Sequence, residues 1–369
     1  MTTTFFFTPK MIVRRLQALL IVLLAPFAVA TAQEFRIVSD IPGLPEGLAV
    51  GLLTQEDSTV EVVNDTVRNG RFELRGHLSH PQLCTLVTNN LGLLPPDNED
   101  MSKIRWTYTS IFVSDTLMTF QADHYDSIDS DKPLSASFRV TGGQPQTDFN
   151  QYNEQLRSAQ KAGNIDVRKF NMNFIAGHPH SVVSLWLADA MLMQATPRLS
   201  KSEVEHLQSL ITTVPDDEQR LALFHRHCKA AASTAVGLPV APLPLVDRSG
   251  KQYSLTEVVP HGKYVLIDFW ASWCGICRAQ IPEVKDLLKH HSDQLTVVGV
   301  SDDRNKAAWL KALDKEQMTW SQYQLTPEGG KRLLSEYLIV GVPYYLLVGP
   351  DGKVLAAPGR PAEVEDFLK

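Results

Sequence analysis

Tyr264-Val265-Leu266-Ile267-Asp268-Phe269-Trp270-Ala271-Ser272-Trp273-Cys274-Gly275-Ile276-Cys277 joins an apolar strand, a short turn and a Cys-x-x-Cys pair, and an amphipathic helix follows. Two cysteines placed where a strand gives way to a helix are the parts of a dithiol/disulfide switch. The thiolate is the nucleophile in disulfide exchange. A helix N-terminus, with unpaired N–H groups and a partial positive charge, favours the thiolate over the thiol. Cys274 is expected at that terminus, exposed, as the attacking sulfur. Cys277 is expected one turn in, shielded, where it resolves the mixed disulfide. The rival reading is half of a zinc site. Zinc takes four ligands, and the chain has only 4 cysteines and no second Cys-x-x-Cys. A purely structural disulfide fits less well, because flanking aromatic residues in a strand-to-helix turn suit an exposed redox site.

More motifs follow in order. Asp268 stands six residues before Cys274, and Pro282 five after Cys277. Gly341-Val342-Pro343 precedes the apolar strand Tyr344–Val348, and Pro350-Asp351-Gly352-Lys353 reads as a hairpin turn. Leu243–Lys251 reads as an opening hairpin. Together these resemble the thioredoxin superfamily, and within it the TlpA/ResA-like envelope thiol–disulfide oxidoreductases, over about residues 237–369. The resemblance implies that Asp268 is a buried carboxylate assisting proton transfer and that Pro282 kinks the active-site helix. It also implies a cis-proline at Pro343 beside the disulfide. Three residues depart from the pattern. Gly275-Ile276 replaces the Gly-Pro common in thioredoxins, Gln280 stands where a glutamate is usual, and Tyr344 where threonine is common. Without that glutamate, Asp268 is the main proton acceptor. Ile276 and Gln280 carry no charge, so thiolate stabilisation rests on the helix terminus and Arg278.

Lys10, Arg14 and Arg15 precede the apolar run Leu16–Ala30, and Ala30-Thr31-Ala32 has the small-x-small form of a cleavage site. Residues 1–32 therefore read as a secretory signal peptide. An uncleaved anchor is the alternative, but the run is short for a membrane span and contains Pro26. Cleavage lowers the net charge of −6 by three, to −9. That argues against nucleic acid or anionic lipid as a partner. So few cysteines in an exported chain suit a redox catalyst better than a disulfide scaffold.

Residues 33–140 read as a β-rich domain. Val60–Val67 and Arg71–Arg75 flank an Asn69-Gly70 hairpin turn, and Gln82–Thr88, Ile104–Val113 and Thr116–Ala122 continue as strands, with a loop at Pro95–Asp100. The region resembles the β-sandwich-like module that precedes TlpA-like domains in envelope proteins of Bacteroidetes-type bacteria. Residues 145–236 turn helical: Phe149, Tyr152 and Leu156 share a helix face, Ser181–Gln194 is strongly apolar, and Ser200-x-x-Glu203 is a capping box. This segment reads as a helical connector, with Thr234–Pro242 as the link onward. In the last domain, residues 237–369, Leu295–Val300 reads as a buried strand and Lys306–Lys315 as a helix. Trp320–Leu325 reads as an edge strand or turn and Gly330–Leu338 as a helix, which completes a mixed sheet with helices on both faces. The fold class is thus multidomain: an all-β, sandwich-like N-terminal domain, a helical connector and a C-terminal α/β thioredoxin-like domain.

Other residues with chemistry read as structural. His225 and His227 point to different faces of a helix and share an ion poorly. Cys84 reads as a small buried residue, and its pairing with Cys228 is open. His290-His291 ends the active-site helix, where positive charge is favourable. Trp270 and Trp273 read as packing and substrate surface. An acid on a strand ordinarily faces solvent, but Ile267, Phe269 and the cysteines ahead favour burial of Asp268.

The expected activity is thiol–disulfide exchange with protein substrates in the periplasm. Cys274, Cys277 and Asp268 are the catalytic residues, and Trp273, Val342 and Pro343 the substrate surface. No organic cofactor or metal is expected beyond the Cys274–Cys277 disulfide. Expected partners are protein thiols and disulfides and an upstream membrane electron donor, without nucleic acid and without a membrane span after cleavage. The resemblance favours reduction, as in cytochrome c maturation or rescue of misoxidised proteins. Two alternatives stand beside this. One is a thiol peroxidase, although the Pro-x-x-x-Thr-x-x-Cys loop of peroxiredoxins is absent. The other is a binding protein whose β-rich domain captures a ligand while the thioredoxin-like domain is vestigial.

Overall fold

The computed structural model describes residues 33–56, 59–95, 97, 100–128, 138–193, 198–215 and 217–368. The expected signal peptide and part of the Pro95–Asp100 loop lie outside them.

Among the described residues eight strands come first: β1 (Gln33–Asp40), β2 (Ala49–Glu56), β3 (Thr59–Thr66), β4 (Glu73–Leu78), β5 (Gln82–Asn89), β6 (Trp106–Val113), β7 (Leu117–Ala122) and β8 (Phe138–Thr141). They form two four-stranded sheets, ordered β4-β1-β7-β8 and β3-β2-β5-β6. Alternate residues point inward, so Phe35 and Ile37 of β1, Leu74 of β4 and Phe120 of β7 meet Leu52 of β2, Leu86 of β5 and Ile111 of β6 in one core. The result is a β-sandwich.

The Asn69-Gly70 turn forms, with φ of 54° and 68°, but it does not make the expected hairpin. Arg68 and Arg71 exchange both backbone hydrogen bonds, and there the ladder stops. β3 goes on to pair with β2, and β4 with β1. Val67 and Phe72, on either side of the turn, are both buried in the core between the sheets. Filling it takes the chain across from one sheet to the other.

Five helices follow: α1 (Gln144–Ala162), α2 (Val167–Gly177), α3 (Val182–Met193), α4 (Lys201–Leu210) and α5 (Glu218–Ser233). α3 is apolar nearly all round because α1, α2 and α5 cover it. At the start of α4 the capping box closes: the Ser200 hydroxyl accepts from the Glu203 N–H (3.3 Å) and the Glu203 carboxylate accepts from the Ser200 N–H (2.7 Å). The bundle packs on both neighbours. Phe112 of β6 inserts its ring against Phe149 and Trp186, and its N–H donates to Gln146 Oε1 at 2.7 Å. Leu338, from the last domain, joins the helical core.

The C-terminal region holds β9 (Pro244–Val246), β10 (Gln252–Ser254), α6 (Leu255–Val258), β11 (Tyr264–Trp270), α7 (Gly275–His291), β12 (Leu295–Ser301), α8 (Lys306–Glu316), β13 (Ser321–Leu325), α9 (Pro327–Tyr337), β14 (Tyr344–Val348), β15 (Val354–Ala356) and a 3-10 helix Pro361–Phe367. The sheet order is β10-β9-β13-β12-β11-β14-β15. β13 is therefore interior, not the edge strand or turn expected from its sequence; it runs parallel to β12 and antiparallel to β9. Polar Gln322 and Gln324 disguise it, yet both are buried and hydrogen bonded.

The period of two in β11 and β14 sorts side chains between two cores. Val265, Ile267 and Phe269, with Tyr344, Leu346 and Val348, face α9. Leu266 and Trp270, with Tyr345 and Leu347, face α7 and α8. Asp268 has the parity of Leu266 and Trp270, so it lies beneath the helix that carries the cysteines.

Candidate active site

α7 begins at Gly275 with Cys274 as its N-cap. Cys274 and Cys277 form a disulfide with an S–S distance of 2.04 Å and a Cα–Cα distance of 5.3 Å. The Cys277 N–H donates to Cys274 Sγ at 3.1 Å, so an otherwise orphaned helix donor points at the first sulfur. Reduction would leave a thiolate facing that N–H and the positive end of the helix. Pro282 lies inside α7, as expected, and supplies no N–H to the helix ladder.

Cys274 is less open than expected, at 7% exposed against 3% for Cys277. The cover comes from the loop before β14, where the Val342–Pro343 peptide is cis and the Val342 carbonyl oxygen lies 3.6 Å from Cys274 Sγ. Trp273 and Ile276 flank the recess and are 66% and 68% exposed. Apolar rings and branched side chains held in water beside a reactive sulfur offer a contact surface for a partner chain. Trp270 is the opposite case, fully buried with its indole N–H donating to Gln322 Oε1 at 3.1 Å.

Asp268 is buried at 3% exposure, and its Oδ1 has no hydrogen-bond partner. Loss of water raises its pKa from 3.8 to about 7. Tyr345 sits opposite it across the β11–β14 pair. The Tyr345 hydroxyl donates to Gln280 Oε1 at 2.9 Å, and burial first, then the Asp268 charge, push its own pKa up. Gln280 thus anchors a neutral phenol next to the acid. Arg278 does not serve the sulfurs. Its Nε donates to Glu316 Oε1 at 2.8 Å, so its charge is answered on α8. The helix terminus is left as the thiolate's support.

Sequence reasoning missed Asp303. Its carboxylate accepts from the Ser272 N–H (2.8 Å) and hydroxyl (2.5 Å) and from the Ser301 hydroxyl (2.6 Å). Those bonds pin the turn that presents Trp273 and Cys274. The available signal was position: an acid just past the carboxyl end of a parallel strand, where α/β sheets place their sites.

The remaining candidates lie apart from the disulfide. Cys84 and Cys228 are buried thiols in different cores, the sandwich and the bundle. His227 Nδ1 meets Asp189 Oδ1 at 2.6 Å, whereas His225 Nδ1 meets the Gln208 amide at 3.3 Å. Among the described residues no cluster of His, Cys, Asp and Glu is arranged to hold a metal ion. His290 Nδ1 bonds back to the Asp286 carbonyl at 2.9 Å. No helix of the described residues is long and apolar enough to cross a membrane.

Comparison with known proteins places this geometry. Residues 262–354 match the family model described as thioredoxin-like. The thiol:disulfide interchange protein DsbE of Escherichia coli (strain K12) is 33% identical over 126 residues, 32% of this chain and 63% of that protein. The thiol-disulfide oxidoreductase ResA of Bacillus subtilis is 26% identical over 112 residues, 30% of this chain and 60% of that one. A solved thioredoxin domain of a thiol-disulfide oxidoreductase from Bacteroides vulgatus is 34% identical, covering 37% of this chain and 99% of its own, with a TM-score of 0.34. The chain spans 45% to 63% of the length of the first curated relatives it matches. The chain thus carries a thioredoxin-like domain at residues 262–354, and the proteins it is similar to include ones named thiol-disulfide oxidoreductase and thiol:disulfide interchange protein.

Proposed function

We propose that this chain is an exported thiol–disulfide oxidoreductase that reduces disulfides in other proteins. The observation that carries the reading is the Cys274–Cys277 disulfide at the start of α7, recessed between exposed Trp273 and Ile276 and the Val342–Pro343 peptide. In the reduced protein the Cys274 thiolate attacks one sulfur of a substrate disulfide. A Cys274–substrate bond forms, the substrate S–S bond breaks, and the departing sulfur takes up a proton. The Cys277 thiol passes its proton to Asp268, whose pKa of about 7 suits the transfer near neutrality. The Cys277 thiolate then attacks Cys274 Sγ, restores the 274–277 disulfide and releases the reduced substrate. Two electrons move from the protein dithiol to the substrate disulfide, so no metal or organic cofactor takes part. The backbone at Val342, with no N–H at Pro343, and the Trp273 ring hold the substrate chain. A dithiol donor at the membrane returns the two electrons.

Export rests on the basic, apolar and small-residue pattern of residues 1–32. The test is trapping in cells. Cys277→Ser accumulates mixed disulfides through Cys274, and Cys274→Ser accumulates none and loses protein-disulfide reduction. Preferential alkylation of Cys277 in the reduced protein at neutral pH would reverse the two roles.

A further inference from the structure

Arg198 belongs to the helical segment, two residues before the Ser200 cap, yet its hydrogen bonds go mainly to the thioredoxin-like domain. Its Nη1 donates to the Tyr344 hydroxyl at 2.7 Å. Its Nη2 donates to the Tyr337 carbonyl at 2.9 Å and also to the Thr234 hydroxyl. Thr234 is 1% exposed and in turn donates to the Ala230 carbonyl at 3.1 Å. The guanidinium therefore joins the end of α5, the end of α9 and the start of β14. Among the described residues no carboxylate pairs with it, so all three acceptors are neutral oxygens set by geometry. The Tyr337 carbonyl lies in the last turn of α9, where a cation is favoured by the helix dipole.

Tyr344 is the residue after Pro343. It is 7% exposed, and its ring stands edge-on to Phe269 of β11 at 6.1 Å; the Tyr337 ring also lies 6.3 Å from Phe269. The backbone ahead of it carries the Val342 oxygen 3.6 Å from Cys274 Sγ. One end of this side chain is thus held by Arg198, and the other end fixes the peptide against the reactive sulfur. A threonine at this place ends at its γ atoms, several bonds short of a phenol oxygen.

We propose that Arg198 is a positioning residue for the substrate-binding loop: through the Tyr344 hydroxyl it holds the Val342–Pro343 peptide in place, and it makes the helical segment part of the oxidoreductase's substrate site. The proposal rests on the reading of that loop given under Proposed function. Arg198 touches neither sulfur. Its loss therefore weakens the binding of an extended protein substrate and leaves the intrinsic reactivity of the dithiol alone.

The test uses the full mature chain carrying Tyr344→Phe, which removes one oxygen, and Arg198→Gln. Three quantities are read for each: KM and kcat with insulin as the disulfide substrate, the rate with a small aromatic disulfide, and amide exchange at Gly341 and Val342 in the oxidised protein. A charged hydrogen bond of this kind corresponds to about a tenfold change in an equilibrium constant. The expected result is a rise of about tenfold in KM for insulin in both variants, with kcat and the small-disulfide rate unchanged. Exchange at Gly341 and Val342 should quicken while that in β11 and β12 stays the same. An unchanged KM in Tyr344→Phe, or equal losses on insulin and the small disulfide, overturns the proposal. If the wild-type chain does not reduce insulin, the oxidoreductase reading fails instead. The exchange data then decide alone whether Arg198 holds the loop, and unchanged exchange at Gly341 and Val342 refutes it.

Discussion

Replacing Asp268 by Asn should separate the stability of this protein from its chemistry, with opposite signs. Asp268 is fully enclosed, one carboxylate oxygen has no partner, and burial raises its pKa from 3.8 to about 7. Below pH 3.8 the carboxyl is protonated in both the folded and the unfolded chain, and burial carries no charge penalty. Between 3.8 and about 7 the unfolded chain has released the proton and the folded chain keeps it. Stability then falls by about 1.4 kcal/mol per pH unit. Above about 7 both forms are ionised and the loss is complete, at about 4 kcal/mol. The stability contributed by the protonated acid is thus fully present at acid pH and lost as pH rises through the folded pKa. Asn has nearly the same shape and no charge, so the variant lacks this loss. Urea unfolding of the oxidised protein, followed from pH 4 to pH 8, measures it. The two proteins should have similar midpoints near pH 4, and the variant should become progressively the more stable towards pH 8. At the same time, on the proposed role of Asp268 as proton acceptor, the variant should be slower in resolving mixed disulfides near neutral pH. A gap between the two midpoints that stays constant across the pH range refutes the reasoning. It would mean that folding does not raise the pKa of Asp268 above its value in the unfolded chain.

The other expectations concern the thiols and the connector. With Ile276 apolar and Arg278 engaged by Glu316, the Cys274–Cys277 potential should lie near the thioredoxin value of about −270 mV rather than the DsbA value of about −120 mV. Equilibration in a glutathione buffer reads it, and Ile276→His should move it towards the oxidising end. Burial, with the Asp189 charge second, pushes the Cys228 thiol up to about 12, so alkylation of the reduced native protein at pH 8 should label Cys274 and spare Cys228. Ser200→Ala removes the cap of α4 and should cost the bundle about 1 kcal/mol, seen as faster amide exchange in α4.

Much of the site was legible because its signals are local. The apolar neighbours Ile267 and Phe269 and the cysteines ahead point to a buried Asp268, and the next few residues place both cysteines at a helix start. The capping box at Ser200 is equally local. What escaped depends on partners distant in sequence. The Asn69-Gly70 turn has its expected backbone, but sheet membership is decided by Val67 and Phe72 reaching a common core. The buried glutamines of β13 look like edge residues until Trp270 and Asp303 supply their hydrogen bonds. Arg278 looks like a cation for the thiolate until Glu316, thirty-eight positions on, is seen to hold it.

The departures from the thioredoxin-like pattern gain a physical reason in the structure. Gln280 and Tyr344 were each an isolated oddity in the sequence. Adjacent residues of β14 point to opposite faces, so Tyr344 and Tyr345 address different cores. On one face Tyr345 spans to Gln280 on α7, where an amide oxygen accepts from the phenol without adding a second negative charge beside Asp268. A glutamate there would compete with Asp268 for the proton; the glutamine leaves Asp268 as the nearby acid whose state changes near neutrality. On the other face Tyr344 spans to Arg198 and ties the loop to the helical segment. The two tyrosines after Pro343 thus link a single strand, next to the disulfide, to Gln280 of the cysteine-bearing helix on one side and to Arg198 of the preceding helical segment on the other.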